Sequence, residues 1–94
     1  MGTMKYVGLL DGSGDVWGVM IPDAPGVHGG GATPEEAIAD ATSALSEVAA
    51  MMAAEGSPIA NPRPLPIVLA DQSVIDHVAF CGATTVMIPL LSDA

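Results

Sequence analysis

Few side chains in this 94-residue chain are of a type that could do chemistry, and the spacing of those few is informative. His28, Asp76, His77 and Cys81 could ligate a metal ion. Asp76-His77-x-x-x-Cys81 is their one compact grouping, and structural zinc takes four ligands, as a rule from two close pairs. With no second pair, the histidines read as surface or turn residues and no metal is expected. A nucleophilic Cys81 would need a positioned base, which the sequence does not identify. It reads instead as a small buried apolar residue. Gly29-Gly30-Gly31 precedes a helix start, where backbone N–H groups can bind phosphate. No lysine follows as a phosphate loop requires, and Glu35 and Glu36 already occupy the positive end of the helix dipole. Metal-dependent nuclease chemistry needs carboxylates converging from the first strand, a helix and a later strand. The first strand offers only Asp11 at its end, and Thr84 to Leu90 offers none. Neither catalytic nor cofactor-binding residues are expected, so the chain does not read as an enzyme.

One helix has to position whatever surface these residues form. Thr33 is a suitable N-cap, Pro34 suits the first helical position and Glu36 completes a capping box. Ile38, Ala41, Leu45, Val48 and Met52 then recur at spacings of three and four, forming one apolar face. Gly56 fits the position just past the helix end, and Pro58 prevents continuation. Asp40 and Glu47 fall off the apolar stripe and read as a solvated face. The run Ala49 to Ala54 (AAMMAA) is apolar nearly all round, more than one sheet face can bury. Either the connector from Pro58 to Ile67 folds over it, or Ala49, Met51 and Ala53 meet another copy of the chain.

Eleven carboxylates against Lys5 and Arg63 give a formal charge of −9. That balance opposes binding to a nucleic-acid backbone, which rests on phosphate neutralisation. It suits a basic protein partner, drawn in electrostatically, and equally suits plain solubility. The lone Cys81 excludes an internal disulfide and fits a reducing, cytoplasmic setting. No signal peptide opens the chain and no uncharged run of membrane-spanning length occurs.

Read in order, Met4 to Leu10 and Asp15 to Ile21 form a hairpin across the turn cluster Asp11-Gly-Ser-Gly14. Pro25-Gly26 fits the centre of a type II turn. Val27 to Ala32 is a weak edge strand, and the proline-spaced stretch Ser57 to Pro66 is an extended connector. A short helix is expected near Ala70 to His77 and a last strand over Thr84 to Leu90. The expectation is one α+β domain over residues 1–94, ordered β-β-β-α-(short α)-β. Its mixed sheet has three antiparallel strands and a fourth parallel to the first, reached by a right-handed crossover. The long helix would cover one sheet face and leave the other partly open for association.

The run Ile21-Pro-Asp-Ala-Pro-Gly26, followed by Gly31-Ala-Thr-Pro-Glu-Glu-Ala37 and the residues to Leu45, resembles the antitoxins of HicB type. Pro22, Asp23, Pro25, Gly26, Gly31, Thr33, Glu35, Glu36, Ala37 and Ala41 match that family in order and spacing. Val86 to Leu91 (VMIPLL) is similar to its last strand. The resemblance implies a degenerate, partial RNase H-like fold without nuclease chemistry, and binding to a small basic ribonuclease toxin of HicA type. Asp23, His28, Glu36, Asp40 and Glu47 are the expected contacts, with homo-oligomerisation through the helix end. Two departures are visible. Val27 stands where the family often has cysteine, and no ribbon-helix-helix or helix-turn-helix segment follows before Ala94, so DNA binding by this chain alone is not expected. The competing reading is a stand-alone oligomeric regulatory or ligand-sensing domain without a toxin partner.

Overall fold

A computed structural model describes residues 4–90. β1 (Met4–Ser13) and β2 (Val16–Met20) are joined by the two-residue loop Gly14-Asp15. Gly14 has φ 59°, the positive value that the first central residue of a II′ hairpin turn needs. Pro25 and Gly26 (φ 87°) sit between Ala24 and Val27, whose N–H donates to the Ala24 carbonyl at 3.0 Å, as in a type II turn. β3 (His28–Gly31) leads into α1 (Pro34–Ala54), and the connector into α2 (Leu65–Leu69), α3 (Gln72–Cys81) and β4 (Thr84–Leu90). Leu91, the last residue of the VMIPLL similarity, lies outside the described residues.

The strand order is β3-β2-β1-β4, and every neighbouring pair is antiparallel. This corrects the expected mixed sheet: β4 runs antiparallel to β1, pairing Leu10 with Thr84 and Met4 with Leu90. The parallel strand of a partial RNase H-like arrangement is therefore not found. The reason is a count of traverses. β3 ends beside the hairpin loop, because Gly31 pairs with Trp17, and Trp17 in turn with Gly12. α1 carries the chain to the far end, where the Tyr6 hydroxyl donates to the Ala60 carbonyl. A parallel β4 would start there. Instead α2 and α3 carry the chain back to the hairpin end, so β4 starts beside Leu10 and runs the other way. The single short helix expected near Ala70 to His77 is a two-helix return.

That return also covers the face expected to be open. Tyr6, Leu10, Val19, Ile21 and Ile88 pack with Ala37, Ala41 and Leu45 of α1. Val7 and Leu9, pointing the opposite way by strand alternation, pack with Val68 of α2 and Val74 of α3. The sheet thus lies between α1 and the thinner α2–α3 layer. No helix among the described residues is long and apolar enough to cross a membrane.

Candidate functional site

The start of α1 is fastened by its own carboxylates. Thr33 Oγ1 accepts from Glu36 N–H at 3.1 Å, and Glu36 Oε1 accepts from Ala32 N–H at 3.0 Å. One turn on, Asp40 Oδ2 accepts the outward N–H of Gly30 at 2.9 Å, closing part of the β3 edge. Both carboxylates stay exposed, as does Glu47. At ~3.6 residues per turn, Glu36, Asp40 and Glu47 lie within about 40° of one another, along roughly 16 Å of helix. They form a single acidic stripe. It runs on into exposed Ala50 and Met51, the latter 57% accessible.

α1 can lie this close to β3 only because β3 is glycine. A Cβ on Gly29 would come within 2.5 Å of the Ala37 carbonyl oxygen, and one on Gly31 would meet the Glu36 Cβ at 2.5 Å. The glycine run is clearance for the helix backbone. His28, at the start of β3, is exposed.

Asp23 has a different setting. Arg63 donates to it from its backbone N–H and its Nε, both at 2.7 Å, and reaches Asp71 at 3.1 Å through the guanidinium. The Asp23 side chain is only 9% exposed. Asp71 also caps α3, accepting from the Ser73 N–H at 2.9 Å. The Ser73 hydrogen bonds, and then Arg63, hold the Asp71 carboxyl below its usual range. Of the chain's two cations, Arg63 is thus neutralised internally and Lys5 stands exposed.

The connector covers part of the apolar helix end. Ile59 packs on the α1-side core and, with Val48, Met52 and Pro25, lines a cleft of about 190 Å³. Of the residues expected to self-associate, Ala49 is half-buried while Met51 and Ala53 are exposed. Other apolar side chains stand out on the α2–α3 layer, among them Ile67, Leu69, Ile75 and Phe80.

The metal-capable residues regroup. Asp76 accepts from Gln72 on the outer side of α3. His77 and Cys81 instead meet Asp11 of β1, with one ligand atom from each lying within 4.8 Å of the others. Cys81 is exposed, which corrects the expectation of a buried residue. Partial desolvation, followed by the Asp11 carboxylate beside it, pushes its thiol up. Asp11 was missed as a partner, although the alternation Val7, Leu9, Asp11 signals it. His77 and Cys81 continue the Val74, Val78 face of α3 in the same way.

A family model described as HicB-like antitoxin of bacterial toxin–antitoxin system matches residues 6–90. The fold is similar to the N-terminal domain of Burkholderia pseudomallei antitoxin HicB, at TM-score 0.71 and 21% identity, over 95% of this chain and 100% of that one. A longer Burkholderia pseudomallei HicB structure matches at TM-score 0.68 and 22% identity, over 94% of this chain and 62% of its own. A chain of a HicA3–HicB3 toxin–antitoxin complex matches at TM-score 0.73 and 17% identity, over 95% of this chain and 100% of that one. No curated protein sequence matches.

Proposed function

The chain belongs to the HicB-like antitoxins of bacterial toxin–antitoxin systems, and from that premise we propose that it neutralises a small basic ribonuclease toxin of HicA type by covering the toxin's RNA-binding surface. The observation that carries this reading is the stripe Glu36, Asp40, Glu47 on a chain of net charge −9. Such a stripe presents carboxylates at helical intervals to the cations that would otherwise hold RNA phosphates. The fold it shares with a chain of a HicA3–HicB3 complex supports the choice of partner.

His28 lies on the strand beside the stripe and joins the contact. Asp23 contributes indirectly, by holding Arg63 and the connector in place. Inhibition in this reading is occlusion in the cytoplasm, and needs no catalytic group, membrane contact or nucleic-acid contact by this chain. Copies of the chain associate through Met51 and Ala53, with Ala49 at the margin, where the helix end stays apolar and uncovered.

The test is co-expression with the product of a neighbouring small basic reading frame, followed by co-purification and a growth assay. Wild-type chain should copurify and restore growth. A chain carrying Glu36→Gln, Asp40→Asn and Glu47→Lys, which keeps the two acceptor oxygens that fasten α1 and removes the negative charge, should do neither while keeping its circular dichroism spectrum. Undiminished rescue by that variant would overturn the stripe as the contact. Sedimentation at micromolar concentration, with Met51→Glu as the comparison, tests the self-association.

A further inference from the structure

We propose that Asp11, His77 and Cys81 form a zinc site that pins the end of α3 to the β1–β2 hairpin. Sulfur, nitrogen and oxygen donors reach one point from two elements, within 4.8 Å of one another. Zinc bonds of ~2.0–2.3 Å in tetrahedral array place ligand atoms about 3.3–3.6 Å apart. Binding therefore requires the donors to draw together by up to about 1.5 Å.

The placement follows from two stripes that turn polar at the same place. On β1 the inward series runs Val7, Leu9, Asp11, and on α3 it runs Val74, Val78, with His77 and Cys81 one turn further along. Neither ion pair among the described residues involves Asp11, so its carboxylate meets the imidazole and the thiol with no lysine or arginine beside it. Across the strands, Asp11 pairs with Gly18. A Cβ at Gly18 would lie 3.9 Å from the Asp11 Oδ1, so a glycine there leaves the carboxylate uncovered. With three protein ligands, a water would complete the tetrahedron, the open arrangement of three-ligand zinc sites.

The mixed donor set favours a borderline-soft ion over magnesium or calcium, which take oxygen ligands. On binding, the Cys81 thiol gives its proton to solvent and the thiolate bonds the metal, while His77 binds through a neutral ring nitrogen.

The experiment uses tag-free chain, reduced and stripped of metal, titrated with Co²⁺ and then Zn²⁺. Wild type should show a thiolate-to-cobalt charge-transfer band saturating at one equivalent and bleaching as zinc displaces cobalt. Cys81→Ser should abolish the band. Asp11→Asn and His77→Gln should each weaken zinc binding by roughly tenfold or more. His28→Gln and Asp76→Asn, which lie outside the cluster, should bind as wild type. Zinc should raise the thermal midpoint of wild type but not that of Cys81→Ser. Absence of the charge-transfer band, or wild-type zinc affinity in both Asp11→Asn and His77→Gln, overturns the site.

Discussion

Gly29→Ala adds one methyl group where β3 lies against the backbone of α1. Its Cβ would sit 2.5 Å from the Ala37 carbonyl oxygen and 2.6 Å from the Ala41 Cα. Both are backbone atoms of a helix whose buried positions, Ala37, Ala41 and Leu45, have no accessible surface. No side chain can rotate away, so α1 as a whole has to lift from the sheet. Overpacking typically costs about 1–3 kcal/mol, and contact with backbone puts this case at about 3 kcal/mol, even after the ~0.5 kcal/mol gained by replacing glycine in a strand. For a domain of this size that is a fall in Tm of roughly 12–24 °C. Gly30→Ala is the control, one residue along on the same strand. A Cβ there meets only the Trp17 carbonyl oxygen at 3.5 Å, an ordinary contact. Its expected change is within about 0.5 kcal/mol. Urea unfolding by circular dichroism, with m held equal between variants, measures both. A Gly29→Ala midpoint matching that of Gly30→Ala would refute the account of β3 as helix clearance.

Three further outcomes follow from particular contacts. Because the Ser73 hydrogen bonds and Arg63 depress the Asp71 carboxyl in the folded state, its contribution is fully present above the unfolded value of 3.8 and is lost as pH falls through the lower folded value. Urea midpoints measured from pH 5 downward should therefore drop less steeply for Asp71→Asn than for wild type, and parallel curves would sink the assignment. Tyr6→Phe removes the hydrogen bond from a fully buried ring to the Ala60 carbonyl and should cost about 1 kcal/mol, with faster hydrogen exchange around Ala60 and no change of fold. Glu47 makes no hydrogen bond or ion pair among the described residues, so Glu47→Lys should leave Tm unchanged while weakening toxin binding about 5- to 30-fold, the conversion of about 1–2 kcal/mol of lost attraction plus new repulsion. Titration calorimetry at low salt would detect that change.

What the residues announced in advance was local. Thr33, Glu36 and Gly56 mark the limits of α1 because capping satisfies backbone groups within a few residues of the cap. Pro25-Gly26 marks its turn for the same reason. Gly29 to Gly31 announced an edge strand, which β3 is, but not its use as clearance for a helix backbone. Only the position of α1 in space shows that use. The direction of β4 was hidden in a similar way. It depends on whether Pro58 to Cys81 crosses the molecule once more, and the apolar residues of α3 that face the sheet, Val74 and Val78, are too few to declare a packed helix. Asp23 looked like a contact because it lies in a turn, and nothing near it in sequence points to Arg63, forty residues away.

The extra traverse has a consequence beyond strand direction. It builds a second layer whose apolar contact is slight: Val68 and Val74 are its buried residues, with Val78 and Ala83 partly buried beside them. At ~1.5–3 kcal/mol for each fully buried aliphatic side chain, that is thin cover next to the ten-residue cluster under α1, and a layer so lightly held opens first. Polar groups stand at both of its ends. Where the layer begins, Arg63 ties the connector to Asp23 and to Asp71, the residue that caps α3. Where it finishes, His77 and Cys81 meet Asp11 immediately before the Gly82 cap. Hydrophobic burial alone has no reason to place a carboxylate, an imidazole and a thiol together at the free end of a weakly packed helix. A fastening at that end does, and it mirrors the ion pairs that secure the other.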